Sequence, residues 1–302
     1  VNFLKGALIY SDFLSTVSPR YAQEIQTPEY GHGLDGVVRA RAASLTGILN
    51  GADYSVWNPE KDKLIAARYS SKDLSGKLAC KKNLIEVFGL PADTLNKPVI
   101  GIVSRLAGQK GFDLIEKIAP DLLAEDLAIV ILGAGEAKYE KLVLDLQAAY
   151  PLKFGVQIKY DNILAHKIEA GADMFLMPSH YEPCGLNQIY SLKYGTVPVV
   201  RATGGLEDTI EDFDPATGHG TGFKFQAYDG GALLVAIREA LALYRNDPAA
   251  WCRVQTNGMA KDFSWQASAT EYARLYEIIC KSRNRITATS SNQAGAKSAK
   301  IS

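Results

Sequence analysis

Three short clusters with residues suited to an anionic, hydroxyl-rich ligand stand in order along the chain. They are Ser104-Arg105-Leu106 with Gln109-Lys110-Gly111, then Glu182-Pro183-Cys184-Gly185-Leu186, then Thr203-Gly204-Gly205-Leu206. Arg105 offers a planar fork of donors, and Lys110, five residues on, a compact point charge. Fixed cations of this kind stabilise the charge that develops on a departing diphosphate more than they stabilise the ground state. Glu182 can accept hydrogen bonds from sugar hydroxyls or stabilise oxocarbenium-like charge at an anomeric carbon. The paired glycines Gly204 and Gly205 permit close approach of backbone to a ligand. Taken together, the clusters read as a site for a nucleotide diphosphate sugar.

Simpler readings exist for each cluster. Arg105 and Lys110 also suit a solvated loop that pairs with nearby acids, and Glu182 suits a helix start, where the macrodipole favours an acid. Cys184 has no His and acid arranged for it, so an inert, partly buried thiol fits better than a nucleophile. Gly133-Ala134-Gly135-Glu136 lacks the third glycine of a dinucleotide fingerprint, Lys138 standing there instead, and reads as a tight strand-to-helix turn. Asp212-Phe213-Asp214 has a D-x-D form but lies with Pro215 and Gly218 in a loop. The four histidines, His32, His166, His180 and His219, show no ligand spacing. Neither a metal nor a cofactor is therefore expected.

The elements that must position these residues alternate. Strand patterns at Val99–Val103, 127–132, 156–159, Met174–Met177, 198–200 and 222–225 are separated by helical patterns that begin near Phe112, Tyr139, Ile163, Leu186, Leu206 and Gly230. Such alternation predicts an α/β fold with a doubly wound parallel sheet, whose carboxyl edge is where ligands bind. Each cluster follows a strand and opens a helix. The first 57 residues have a different rhythm, a strand at 6–11 and a helix at 19–25, and a turn-rich stretch from Asn50 to Pro59 reads as the linker. The pattern over 265–279 is helical, whereas 288–302 holds little to bury.

Composition narrows the partners. The chain has 302 residues, 47% hydrophobic and 22% charged, with Lys plus Arg equal to Asp plus Glu at 33 each. No overall basic field draws in nucleic acid. No apolar stretch approaches the roughly 18 residues of a membrane span, so no membrane partner is expected. Cys80, Cys184, Cys252 and Cys280 are far apart, which favours a reducing compartment over a disulfide framework. The start at Val1, without an initiator Met, reads as that of a fragment.

These clusters, in this order, resemble the family of bacterial glycogen synthases and plant starch synthases, retaining glycosyltransferases that build α-1,4-glucan from ADP-glucose. The resemblance extends over Ser18-Pro19, Tyr21-Ala22, Glu24-Ile25, Gly33 to Val37, Gly47 to Gly51, Trp57-Asn58-Pro59, Pro178-Ser179, Lys193 to Thr196, Pro198, Arg201 and Phe263-Ser264-Trp265. It covers residues 1 to about 280. Departures are Ala52, where the family commonly has a larger aliphatic residue, and His180, where Arg is frequent. The family's opening Lys-x-Gly-Gly-Leu segment and most of its acceptor-binding domain have no counterpart here.

The resemblance implies a GT-B glycosyltransferase of two facing Rossmann-like domains, of which this chain carries the carboxyl-terminal half and a remnant of the other. Residues 1–57 would be that remnant and linker, 58–262 the donor-binding domain, 263–281 a C-terminal helix and 282–302 a disordered tail. By position, Arg105 and Lys110 would hold the diphosphate and Glu182 would sit by the transferred glucose, these three being the catalytic set. Tyr160 would stack on adenine, and Cys184, Gly185, Leu186, Thr203, Gly204, Gly205 and Leu206 would complete the sugar and phosphate contacts. The implied partners are ADP-glucose and an α-1,4-glucan acceptor, in a bacterial cytoplasm or, for a plant, a plastid. Two other readings are a non-catalytic nucleotide-sugar-binding fragment and a glucan phosphorylase. The phosphorylase reading lacks its pyridoxal phosphate lysine.

Overall fold

A computed structural model of the chain describes residues 2–298, with side chains through Lys281. One compact unit takes the chain up to Gly51 and again from Phe263, and the other runs from Ala52 to Asp262.

The first unit opens with α1 (Phe3–Tyr10), β1 (Leu14–Thr16), α2 (Pro19–Glu24), α3 (Asp35–Ala40) and β2 (Leu45–Gly47). The two strands pair in parallel, from Leu14 opposite Leu45 to Thr16 opposite Gly47. The strand expected over 6–11 is instead part of α1. The Asn2 side chain accepts from Lys5 N at 2.9 Å and caps that helix, and a short apolar run alone does not separate helix from strand. In α2, Ser18 caps the backbone N–H of Tyr21 at 2.8 Å and Pro19 fills the first turn, where its missing N–H costs nothing.

The second unit contains α4 (Ser75–Phe88), β3 (Val99–Val103), α5 (Phe112–Ala124), β4 (Ala128–Gly133), α6 (Ala137–Ala149), β5 (Phe154–Ile158) and α7 (Asn162–Gly171). It continues with β6 (Met174–Met177), α8 (Asn187–Lys193), β7 (Val197–Arg201), α9 (Gly204–Thr209), β8 (Phe223–Phe225), α10 (Gly230–Asn246) and α11 (Pro248–Met259). Then α12 (Trp265–Ser298) returns to the first unit. The tail expected over 282–302 lies outside the residues whose side chains are described.

All six strands of the second unit are parallel, in the order β5-β4-β3-β6-β7-β8. The sheet is doubly wound, and the direction of winding reverses between β3 and β6. That switch point opens a crevice at the carboxyl ends of the two strands. The strands are short apolar runs because helices cover both faces: every residue of β4 and of β6 is buried. The core of Ile100, Ile102, Phe112, Ile115, Ile129, Ile131, Leu176 and Val199 is at most 3% exposed.

α4 departs from apolar periodicity because two lysines share its buried face with Cys80, Leu84 and Ile85. Lys77 Nζ donates to Ala170 O at 3.0 Å, Tyr194 O at 3.2 Å and Thr196 Oγ1 at 2.6 Å. Those carbonyls lie at the carboxyl ends of α7 and α8, where a cation is favoured by the helix dipole. Lys81 Nζ lies 2.8 Å from Asp173 Oδ2.

Candidate active site

The loop after β3 and the loop after β6 meet at the switch point. Gly111, at φ +77°, makes this approach possible: a Cβ there would lie 2.1 Å from Pro178 O. The result is that Lys110 Nζ lies 2.5 Å from Glu182 Oε2, although 72 residues separate them. Ser179 Oγ donates to the same carboxylate oxygen at 3.1 Å, so Oε1 keeps its lone pairs for another donor. Arg105 projects from the same loop as Lys110. Arg105, Lys110, Ser179, Glu182, Gly185, Leu186 and Asn187 line one cavity of about 230 Å³, floored by Ile102, Val103, Leu176 and Met177.

A second cavity, of about 440 Å³, begins where the first ends, since Val103, Ser104, Arg105 and Asn187 line both. Its other walls are the ends of β4 and β5 and the start of α7: Gly133, Ala134, Lys159, Tyr160, Asp161 and Asn162, with Trp57 and Ala165. Tyr160 is 93% exposed, so its ring is available to a planar partner. The Asp161 side chain caps α7 by accepting from Leu164 N at 2.9 Å, and chiefly that bond holds its carboxyl below the usual range. Trp57 stacks in parallel on His166 at 3.7 Å and on Tyr190 at 4.0 Å between centroids. Two rings that close cannot share one face of an indole, so both faces of Trp57 are covered and only its edge meets the cavity. His166 is in turn held through Nδ1, 2.7 Å from Asp62 Oδ2, which also accepts from Tyr194 OH at 2.6 Å.

The four residues Arg105, Lys110, Glu182 and Tyr160 therefore border two joined cavities, and Gly185 and Leu186 stand with the first three. Cys184, Thr203, Gly204, Gly205 and Leu206 do not line either cavity. Cys184, Thr203 and Leu206 are at most 4% exposed. Gly204 has φ +44°, and a Cβ on it would lie 1.9 Å from Glu182 O, the carbonyl that accepts from Gly205 N at 3.0 Å. The glycine pair thus brings α9 against the backbone that carries Glu182.

Several lining residues were not singled out for the site from the sequence. Ser179 and Trp57 stand out in the sequence only within Pro178-Ser179 and Trp57-Asn58-Pro59, two segments of the family resemblance with no site role attached. Gly133 and Ala134, a tight strand-to-helix turn by sequence, line the larger cavity with Arg105. Asn187 carried no motif; its Nδ2 donates to Val103 O at 2.6 Å and pins the start of α8 to the end of β3. Asp214 serves its own loop, accepting from Ala216 N, and Asp212 accepts from Lys224 N on β8. Among the described residues no three His, Cys, Asp or Glu side chains gather as a metal site, and no helix is long and apolar enough to cross a membrane.

The arrangement is one of two cations and a carboxylate at the carboxyl edge of a parallel sheet, beside an open aromatic ring. Residues 1–40 match the family described as starch synthase catalytic domain. The chain is 59% identical over 277 residues to a glycogen synthase of Koribacter versatilis, covering 92% of this chain and 57% of the relative. It is 54% identical over 282 residues to glycogen synthase 1 of Geobacter metallireducens, covering 93% and 56%. The chain thus spans little more than half the length of these relatives. Among solved structures, the catalytic domain of starch synthase IV from Arabidopsis thaliana, bound to ADP and acarbose, superposes with a TM-score of 0.85 at 37% identity. That match covers 92% of this chain and 57% of the other, and the fold is the Rossmann-like arrangement of GT-B glycosyltransferases. Residues 91–251 match the family described as glycosyl transferases group 1, more than half of the chain, and to that family the chain belongs.

Proposed function

We propose that this polypeptide contributes the donor half of a glycogen synthase, transferring glucose from ADP-glucose to the non-reducing end of an α-1,4-glucan with retention of configuration. The observation that carries this reading is the convergence of Arg105, Lys110 and Glu182 in one cavity at the sheet's switch point. The diphosphate would lie along Arg105 and Lys110, the adenine against Tyr160 in the larger cavity, and the glucose hydroxyls against Glu182. A bacterial cytoplasm is the corresponding setting, in keeping with the bacterial glycogen synthases at 54% and 59% identity.

The chemistry follows from these charges. As the bond from the anomeric carbon to the phosphate oxygen breaks, negative charge grows on the departing ADP, where Arg105 and Lys110 stabilise it. Removing a preorganised group of this kind costs about 2 to 4 kcal/mol in the transition state. The acceptor 4-hydroxyl attacks the same face of the sugar and passes its proton to the leaving phosphate. Cys184 is buried outside the cavity, and Glu182 is ion-paired with Lys110. Neither is disposed as a nucleophile, which suits transfer without a covalent intermediate.

The direct experiment is transfer of labelled glucose from ADP-glucose, and from UDP-glucose for comparison, to glycogen by the purified chain. Transfer from ADP-glucose that is lost in Lys110→Ala supports the reading; transfer unaffected by that change sinks the phosphate assignment. A second reading, donor binding without transfer, is favoured by one fact: both cavities are lined only by residues between Trp57 and Asn187. ADP binding without glucose transfer would select it.

A further inference from the structure

The two cations of the site are held differently. Lys110 is compensated, at 2.5 Å from the Glu182 carboxylate. Arg105 is held by a neutral group: its Nη2 donates to Gln109 Oε1 at 3.2 Å, and among the described residues no carboxylate lies within ion-pair distance of it. A guanidinium held by an amide keeps its full charge and a fixed aim, whereas one held by a carboxylate is already neutralised. Gln109 has further bonds on its other side. Its Nε2 donates to Tyr181 O at 3.1 Å, and its own carbonyl accepts from His180 N at 2.8 Å. One residue thereby ties the Arg105 fork to the segment that leads into Glu182.

We propose that Gln109 is a positioning residue that aims Arg105 at the donor diphosphate without cancelling its charge, so that Arg105 supplies electrostatic capture while Lys110 is exchanged between Glu182 and the phosphate. The inference rests on the donor-binding reading above. The segment from His180 does not depend on Gln109 alone, because Arg201 Nη1 donates to His180 O and the His180 ring packs edge-on against Tyr228 at 4.6 Å. Tyr228 OH in turn donates to Asp113 on α5. Removing the Gln109 side-chain amide therefore frees Arg105 while the Glu182 loop stays braced. Arg105 itself is exposed, so solvent screening keeps the effect moderate.

The test is calorimetric titration of ADP into the parent chain and four variants: Gln109→Glu, Gln109→Met, Arg105→Ala and Arg105→Ala with Gln109→Met. Gln109→Glu sets a carboxylate of the same shape against the guanidinium, and ADP affinity should fall about tenfold or more. Gln109→Met should weaken ADP binding about threefold to fivefold in the parent background and add nothing in the Arg105→Ala background, the signature of coupling through Arg105. Thermal melting of each variant checks that the fold is retained. ADP binding by Gln109→Glu equal to the parent's overturns the inference, as does an equal loss for Gln109→Met in both backgrounds. A parent chain that does not bind ADP overturns the donor-binding reading first, and the inference with it.

Discussion

Lys110 Nζ and Glu182 Oε2 lie 2.5 Å apart, on loops that follow two different strands, with the carboxylate side chain 8% exposed and the ammonium 18%. Both side chains line the smaller cavity.

The two partners should respond in opposite senses to their removal. Lys110→Ala deletes the charge on the leaving group and should lower transfer by about 10²- to 10³-fold. Glu182→Gln keeps the shape of the acid but frees Lys110, so the affinity for ADP should rise severalfold while transfer falls. Titration of ADP together with initial rates separates the two; a drop in ADP affinity for Glu182→Gln contradicts the arrangement.

Tyr160→Ala removes an aromatic face from the larger cavity. Base stacking on such a ring contributes about 1 to 3 kcal/mol, so KM for ADP-glucose should rise roughly tenfold with kcat little changed. Because the side chain is 93% exposed, the melting temperature should hardly move. Tyr160→Phe should keep the parent KM. Kinetics on both variants would expose a purely structural tyrosine as an equal loss in each.

Gly204→Ala puts a methyl group 1.9 Å from Glu182 O at a residue with φ +44°. Strain of this kind costs about 1 to 3 kcal/mol, and relief requires the Glu182 backbone to shift. Both the midpoint of urea unfolding and the rate of transfer should drop. A variant as stable and as active as the parent would show that α9 does not brace this loop.

Burial pushes the Lys77 ammonium down to about 8 from its ordinary value of 10.5. Between those values the unfolded chain binds a proton that the folded chain has lost, so this residue makes stability rise with pH over that window and fall again as pH drops towards 8. Relative to Lys77→Met, the parent should gain about 2 kcal/mol between pH 8 and pH 10. Urea melts of both proteins across that range measure the difference; parallel curves would mean that Lys77 stays charged.

Much of the second unit's architecture was legible because its strands are short apolar runs buried on both faces, and its loops carry Gly, Arg, Lys and Glu at strand ends. The sequence determined the alternation of strand and helix and the order of the three clusters. It did not disclose α4, since Lys77 and Lys81 sit on the helix's buried face and are satisfied by carbonyls and an aspartate far along the chain. Nor could it separate the α1 helix from a strand, where capping by Asn2 decides.

Only the tertiary structure decided which clusters touch. Pairing of β3 with β6 brings Lys110 to Glu182 and sets Arg105 in the same cavity, while the Gly204-Gly205 turn, equally ligand-like in sequence, packs against the Glu182 backbone carbonyl. The physical reason is that residue types fix what a loop can bind or bend into. Which loop faces a cavity and which one supports it depends on strand order and on backbone contacts between segments distant in sequence.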